Sequence, residues 1–320
     1  MCIFSQPVVS VSDTNIFARL LPDGWQYLVY QMRFETREKN AMVLPLPVQL
    51  PATDDETLEF ISLQQHESFF EDLNKGFPLA LPNRSFLSQG IDSKVTEMKP
   101  TLEVHDVGDF IASFVPSIGD FDRLDEQFRV PQESWDKIPR YSDFGFAVFQ
   151  LKSLQGQPHP MAFKFRSRLN QPENGSLFFP TVHIHDGEVH KREKFDHTLF
   201  LQDPAFDNAC GGYKQRGYPV TDPATGYVRS KWPAKEFCDI DASCGIVDPD
   251  ALVHRLEMRG RLDNVDVLAS LHPSDFKKQS GLLPWLGLPI TVGVAGFFGL
   301  KWFFDRRDRV AEESAEESSR

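Results

Sequence analysis

A long uncharged stretch, from Gln279 to Leu300, lies near the C-terminal end of this 320-residue chain. Its length matches the roughly 20 apolar residues that an α-helix needs to cross a bilayer. Trp285 and Trp302 lie near its two ends, where aromatic side chains commonly anchor a helix at the membrane interface. We therefore expect residues 282–304 to form one transmembrane helix and to make the lipid bilayer a partner of this protein.

The apolar stretch divides the chain into regions of different character. Residues 1–275 form the soluble region, 276–281 a linker, and 305–320 a charged tail without aromatic residues that we expect to be disordered. Within the helix, Ala295 and Gly299 form a small-xxx-small pair, which is typical of helix association. Self-association through this pair is therefore a second expected contact.

Two rules disagree about the orientation of a single-pass protein in the cell membrane. Basic residues are more frequent after the helix, which favours a cytosolic tail: Lys301, Arg306, Arg307 and Arg309, against Lys277 and Lys278 before it. The opening residues Met1–Phe4 have neither the basic nor the apolar region of a signal peptide. Because a large domain is rarely exported without such a signal, we expect the soluble region to face the cytosol.

The aromatic residues of the soluble region indicate β-structure. Phe dominates them, with 28 residues against 6 Tyr and 5 Trp. Several alternate along the chain, such as Phe144 with Phe146 and Phe163 with Phe165, which is the period of a strand with one buried face. The predicted fold is mainly β with a few short helices, a β-rich α+β class, plus the C-terminal transmembrane helix.

A sequence echo raises the alternative of two related β units, residues 1–117 and 140–275. Val29–Arg33 precedes Met42–Leu44 at the same spacing as Val148–Lys152 precedes Met161–Phe163. One hairpin used twice would explain the echo, and so would chance.

Local patterns predict further elements. Pro22-Asp23-Gly24 is typical of a turn between two strands. The segments 57–63 and 67–74 have apolar residues at spacings that favour short helices.

The charge of the chain disfavours one class of partner. The formal net charge is −12 and the isoelectric point is about 5.2. A nucleic-acid-binding protein normally presents a basic face to phosphate, so we expect no nucleic-acid partner.

The sharpest candidate site is a predicted hairpin with Asp186 and Gly187 at its turn. Strand alternation would place four polar side chains on one face: His183, His185, Glu188 and His190. Three imidazoles and a carboxylate suit Zn²⁺ or another divalent transition metal. Asp196 and His197 follow and would add a ligand or orient one. A plain hairpin with one solvated face and a pH-responsive histidine cluster are the alternatives.

The four cysteines suggest further candidate sites. Cys2 would become an N-terminal residue after removal of Met1, and its free α-amino group could then act as the base of a hydrolase nucleophile. A structural role for Cys2 is the alternative. Cys210, Cys238 and Cys244 lack the spacing of a zinc knuckle, so a loop disulfide or buried free thiols are favoured over a metal site.

The N-terminal motifs resemble those of an uncharacterised bacterial family. The resemblance covers about the first 75 residues and rests on the Cys2-Ile3-Phe4 start, the strand pair around Pro22-Asp23-Gly24, and Ala41-Met42-Val43-Leu44-Pro45-Leu46-Pro47. It implies a secretory signal before the cysteine, which this sequence does not show, and a C-terminal membrane helix. The family has no established activity, so it implies no catalytic residue.

These observations leave three functional hypotheses. The first is a membrane-anchored β-rich domain with a binding or scaffold role. The second is a metal-binding domain or metal-dependent enzyme centred on His183, His185 and His190, and the third is a hydrolase that uses Cys2. The sequence contains no Walker A loop, dinucleotide-binding glycine motif, GxSxG elbow or HExxH motif that would name an enzyme class.

Overall fold

The structure is a computed structural model that describes residues 2–52, 54–78, 105–170, 175–210, 212, 213, 219–222 and 225–270. Within these residues it has sixteen strands and four α-helices, which confirms the prediction of a mainly β fold with a few short helices. The strands are β1 (Cys2–Phe4), β2 (Val8–Leu20), β3 (Trp25–Thr36), β4 (Ala41–Leu46), β5 (Leu58–Ser62), β6 (His105–Val107), β7 (Phe110–Val115), β8 (Gly145–Leu151), β9 (Gln155–Gly156), β10 (Met161–Arg166), β11 (Ser176–Phe179), β12 (His183–Ile184), β13 (Arg192–Gln202), β14 (Val228–Arg229), β15 (His254–Asp263) and β16 (Val267–Ser270). The helices are α1 (Asp54–Thr57), α2 (Phe69–Lys75), α3 (Gln132–Asp136) and α4 (Pro204–Ala209), and short 3₁₀ turns lie at Ile118–Arg123, Glu126–Phe128, Pro139–Tyr141 and Ala234–Glu236.

Two large sheets organise the described part of the chain. The first sheet has the strand order β12-β1-β4-β8-β7-β6. The second has the order β14-β15-β13-β2-β3-β10-β5, with β9 paired to β3. A separate ribbon joins β11 to β16.

The inner faces of the two sheets share one hydrophobic core. Met42 and Phe149 from the first sheet belong to the same buried cluster as Tyr30, Phe163 and Leu199 from the second. All five side chains are buried. The fold is therefore a β-sandwich, because each sheet needs an apolar face against which to bury its own.

Both outer faces of the sandwich are also covered. Val43 and Val148 point away from the shared core and pack with Phe121, Trp135 and Tyr141 from the segment between β7 and β8. Phe17 and Phe200 of the second sheet pack outward against α2 and the loop that carries Ala234 and Cys238. Central strands buried on two faces explain why so much of the sequence is aromatic or aliphatic.

The repeated sequence pattern lies in four strands, each of which pairs with a strand from the other half of the chain. β3 and β8 carry its first part, and β4 and β10 its second. Met42 of β4 lies opposite Phe149 of β8, and Met161 of β10 lies opposite Tyr30 of β3, so equivalent positions have equivalent partners. Of the two alternatives for the echo, one hairpin used twice does not describe these strands, because β3 and β4 lie in different sheets and each pairs with a strand from the later half of the chain.

The two large sheets do not coincide with the alternative division into residues 1–117 and 140–275. Each combines strands from before residue 117 with strands from after residue 140. The segment Met1–Lys277 accordingly forms a single compact unit.

Two local predictions had opposite outcomes. The turn at Pro22-Asp23-Gly24 joins β2 to β3, and Gly24 adopts a left-handed φ of 93° that glycine tolerates. The predicted helix over residues 57–63 is wrong, because residues 58–62 form β5 and pair with β10. Leu58 and Phe60 face the core shared by the two sheets, whereas Ile61 faces the apolar cluster around α2. The apolar residues that suggested a helix therefore fit the alternating faces of a strand.

Residues 271–320 lie outside the described residues. The predicted transmembrane helix at 282–304, its linker and tail, and the Ala295 and Gly299 pair are therefore not among the elements described. In the part of the chain that the structure does describe, no helix combines the length and apolar character needed to span a bilayer.

Candidate functional site

The predicted histidine hairpin does not form. His183 and Ile184 make the short strand β12, which pairs in parallel with Cys2 and Ile3 of β1. The carbonyl of His185 accepts the backbone N–H of Val8, at 2.9 Å. The backbone of residues 183–185 is therefore already paired with β1 and Val8, far away in the sequence. Asp186 and Gly187 accordingly form a bend rather than a hairpin turn.

Two of the four predicted ligands point away from the buried histidines. The carboxylate of Glu188 forms an ion pair with the ammonium of Lys137. His190 is half-exposed, and its Nε2 lies 3.0 Å from the carboxylate of Asp186. Metal binding by the full set of His183, His185, Glu188 and His190 stays a prediction that this arrangement does not favour.

Strand alternation places His183 and His185 together, as the sequence predicted. Val182 and Ile184 pack outward with the cluster that covers the first sheet. The rings of His183 and His185 lie on the other side, with centroids 4.8 Å apart. This alternation turns both imidazoles toward the interior of the sandwich.

His197 of β13 completes a group of three that we call the histidine cluster: His183, His185 and His197. The Nε2 atoms of His183 and His197 are 3.0 Å apart, and their rings stack with centroids 4.7 Å apart. Since β12 belongs to the first sheet and β13 to the second, this contact joins the two layers of the sandwich. His183 is 4% exposed and His197 is fully buried.

Aromatic rings line the histidine cluster. Phe195 packs against His183 at a centroid distance of 4.5 Å, and Phe4 meets His185 edge-on at 5.9 Å. Both rings belong to the shared core. The imidazoles therefore lie in apolar surroundings where a charge is costly.

Burial sets the protonation state of the cluster. It lowers the pKa of His185 and of His197 to about 4, and it lowers the pKa of His183 well below its usual range. For His183 and His197 a neighbouring imidazole lowers the pKa further, because two nearby cations repel. At neutral pH all three rings are neutral, which is the state that can donate a lone pair to a metal.

Asp196 lies beside His197. One of its carboxylate oxygens is 3.6 Å from His197 Nδ1, and the other accepts the backbone N–H of Asp13 at 2.7 Å. Burial opposes ionisation of Asp196, but its hydrogen bonds and the charges around it outweigh burial and lower its pKa. At 3.6 Å the carboxylate forms no hydrogen bond with His197 Nδ1, which has no hydrogen-bond partner among the described residues.

Asn264 holds the backbone around the histidine cluster, and sequence reasoning missed this role. Its Oδ1 accepts the N–H of His183 at 2.7 Å, and its Nδ2 donates to the carbonyls of His183 and His190 at 2.9 and 3.0 Å. It follows β15, far from β12 in the sequence. The turn-forming pair Asp263-Asn264 was the available signal in the sequence, but such a pair does not indicate a long-range contact.

The cysteines separate into different environments. Cys2 begins β1, where its backbone lies opposite that of His183, but its side chain is outside the described set, so the hydrolase hypothesis stays a prediction. Cys210 and Cys238 are buried free thiols, one of the two alternatives favoured from sequence, and Cys244 is free and exposed.

Comparisons with known proteins find distant structural likeness. No protein-family model matches the sequence, and no curated protein matches it. The chain is similar to the crystal structure of baculovirus P35, with 13% identity and a TM-score of 0.42 over 81% of this chain and 96% of that one. It is also similar to the crystal structure of the caspase-8/P35 complex, with 11% identity and a TM-score of 0.41 over 82% of this chain and 97% of that one. At these identities and scores no property of those proteins is carried over.

Proposed function

We propose that this protein binds a divalent transition metal, with Zn²⁺ as the first candidate, through His183, His185 and His197. The observation that carries the proposal is the 3.0 Å separation between the Nε2 atoms of His183 and His197. Imidazole nitrogen is a common ligand for zinc, copper and nickel. Metal binding at the contact between the two sheets would hold the sandwich together.

The spacing of the nitrogens suits a shared ion. Two imidazole nitrogens bound to tetrahedral zinc at about 2.0–2.1 Å lie about 3.4 Å from each other. His183 and His197 need to separate by only a few tenths of an ångström to reach that geometry. His185 Nε2 is buried, and the described residues provide no hydrogen-bond partner for it. The ligand atoms of the three imidazoles do not all lie within 4.8 Å of one another, so His185 would have to move closer to serve as a third ligand.

The protonation state of the imidazoles supports the same proposal. The lowered pKa values keep the imidazoles neutral at physiological pH. The 3.0 Å contact between the Nε2 atoms of His183 and His197 is a hydrogen bond in which one ring donates its N–H, so metal binding would require that proton to move to the Nδ1 atom of the same ring. Asp196 lies 3.6 Å from His197 Nδ1 and would have to approach by a few tenths of an ångström to orient the ring as carboxylates orient zinc-bound histidines.

A metal titration of the full-length protein tests the proposal. We expect His183→Ala and His197→Ala each to bind one equivalent of Zn²⁺ fewer per chain than the parent protein. The matched control is His190→Ala, because His190 belongs to the same segment but is half-exposed and paired with Asp186. Elemental analysis after removal of free metal provides the measurement.

The outcome that would contradict the proposal is equally direct. If His197→Ala and His190→Ala retain the same metal content as the parent protein, the histidine cluster has no metal-binding role. Circular dichroism of each variant distinguishes loss of ligands from loss of fold.

The second candidate function is binding or scaffolding at a membrane, with the β-rich region anchored by a helix at 282–304. The uncharged run from Gln279 to Leu300 supports it, because its length matches the thickness of a bilayer core. We propose a single-pass anchor in the cell membrane with the β-rich region on the cytosolic side.

Charge substitution in the proposed helix tests the anchor. We expect the double variant Val292→Arg with Val294→Arg to be released from membranes by alkaline carbonate, because each Arg at the centre of a spanning helix costs about 2.5–3.5 kcal/mol. The double variant to Leu at the same positions should stay in the membrane fraction. Equal extraction of both variants would argue against an anchor in this segment.

A further inference from the structure

A second group of metal-ligating side chains lies on the outer side of the second sheet, away from the histidine cluster. We propose that His66, Asp72 and Cys238 bind a divalent zinc-class ion through one imidazole nitrogen, one carboxylate oxygen and the thiolate. We call these residues the outer triad. One candidate ligand atom from each lies within 4.8 Å of the other two.

Local structure brings the outer triad together. His66 lies in the turn before α2, and Asp72 follows on that helix. Cys238 comes from the loop after the 3₁₀ turn at Ala234–Glu236, and its backbone N–H donates to the carbonyl of Ala234 at 2.8 Å. Cys238 also belongs to the apolar cluster that packs α2 against the sheet. A ligand set of this kind has no sequence spacing by which it could be recognised.

All three residues of the outer triad are buried. His66 is 3% exposed, Asp72 is 6% and Cys238 is 7%. His66 Nε2 lies 2.9 Å from the carboxylate of Asp72. His66 Nδ1 is buried too, and no described residue forms a hydrogen bond with it. A buried imidazole nitrogen without a hydrogen-bond partner calls for an explanation, and an ion bound within the outer triad would provide one.

The same residue types occur in nucleophilic triads, but the arrangement of the outer triad does not fit that role. A catalytic histidine forms hydrogen bonds with the nucleophile and with the orienting carboxylate at the same time. Here the Cys238 thiol lies 4.0 Å from the carbonyl of Asp239 instead. Burial, with Asp72 and Asp239 nearby, raises the pKa of the Cys238 thiol to about 12, which leaves it protonated at neutral pH.

A bound dication would convert the protonated Cys238 thiol into a thiolate. A coordinating thiol is deprotonated by the metal it binds, so the raised pKa of Cys238 does not prevent coordination. With Cys238 and Asp72 both anionic, a divalent ion gives a site of zero net charge, which lowers the cost of burial. Three protein ligands are the number found in zinc sites that keep a fourth position for water or a small ligand.

Lys75 is the cationic group beside Asp72 in the outer triad. Its ammonium forms a hydrogen bond with Asp72, and that contact, together with His66, lowers the pKa of Asp72 although burial opposes ionisation. The Lys75 side chain is 64% exposed. It can therefore move into solvent when an ion takes over the neutralisation of Asp72.

Cobalt substitution in the full-length protein tests this site. Co²⁺ bound by a thiolate shows a sulfur-to-cobalt charge-transfer band that a nitrogen-only site lacks. We expect about one thiolate-bound Co²⁺ per chain in a Cys244→Ala background, which removes the exposed thiol among the side chains that the structure describes, and we expect Zn²⁺ to abolish the band. Cys238→Ala and His66→Gln should each lose it.

Cys210 provides the matched control. It is also a buried free thiol whose pKa is raised to about 12 by burial, but its near polar neighbour is the hydroxyl of Thr225, at 3.9 Å. We expect Cys210→Ala to keep the full band. His197→Ala should also keep it, so that failure of the histidine cluster and failure of the outer triad are distinguishable.

Two results would overturn the proposal. The first is absence of the charge-transfer band in the Cys244→Ala protein, which needs no further variant. The second is a band that persists in Cys238→Ala. If Cys238→Ala does not fold, Cys238→Ser keeps the side-chain volume, and an undiminished band in that variant would have the same meaning.

Discussion

At the scale of single residues, His197 shows how burial links charge to stability. Its imidazole is fully buried, and burial lowers its pKa from the ordinary 6.5 to about 4. In the unfolded chain the ring takes up a proton near pH 6.5. The neutral ring therefore contributes stability that is complete above pH 6.5 and is lost as the pH falls toward 4.

This shift predicts the pH dependence of a His197→Phe variant. Each pKa unit corresponds to about 1.4 kcal/mol, so in metal-free protein the parent should lose about 2–3 kcal/mol more unfolding free energy than the variant between pH 7.5 and pH 4.5. Denaturant unfolding with a chelator present measures the difference. His190→Phe is the control, since Asp186 raises the pKa of that exposed ring instead. Equal losses in the parent and His197→Phe would contradict the prediction.

At the scale of elements, the contact between α2 and the loop around Cys238 depends on a glycine. Gly76 follows α2, and a Cβ added there would lie 2.6 Å from the ring of Phe237. The φ of Gly76 is −65°, a backbone conformation that alanine adopts without strain. The added methyl group would therefore clash only with the Phe237 ring.

We therefore expect Gly76→Ala to destabilise the fold by about 1–2 kcal/mol, because the ring of Phe237 must move. Gly119→Ala is the matched control, because its nearest contact would be Ser117 Oγ at 3.6 Å. Thermal unfolding of the two variants gives the comparison. An unchanged melting temperature for Gly76→Ala would show that the ring moves at no cost.

Elements defined by local turn chemistry were predicted correctly, and those decided by distant partners were not. The β2–β3 turn succeeded because Gly24 and its neighbours specify it without help. The hairpin at Asp186 and Gly187 failed because β1 and Asn264 bind the backbone that the turn would have used.

The same distinction applies to the candidate sites. Alternation alone placed His183 and His185 on one face, and the proximity of His197 in sequence suggested its involvement. The outer triad joins Cys238 to His66 across most of the soluble region, and no spacing rule connects them.

At the scale of the whole molecule, the exchange of strands makes the two halves of the sandwich depend on each other. β4 needs β8, and β3 needs β10, as neighbours in the two sheets. A half of the chain by itself would expose strand edges and the apolar faces that the other half covers.

We expect a fragment of residues 1–117 to lack a cooperative unfolding transition, although it contains β1–β7. Co-expression with residues 118–320 should restore a single transition, because the missing strands then complete both sheets. Denaturant unfolding monitored by circular dichroism tests this. A cooperative transition in the 1–117 fragment alone would indicate that it is an independent domain.

The strand exchange also sets an order of events on the ribosome. Val43 cannot meet its partner Val148 until roughly a hundred further residues have been translated. At a translation rate of about 5–20 residues per second, several seconds or longer pass before β8 and β10 are made. Until then one edge each of β3 and β4 has unpaired backbone N–H and C=O groups. Unpaired strand edges favour association with other chains, so we expect chaperones or rapid translation to limit that association during the interval.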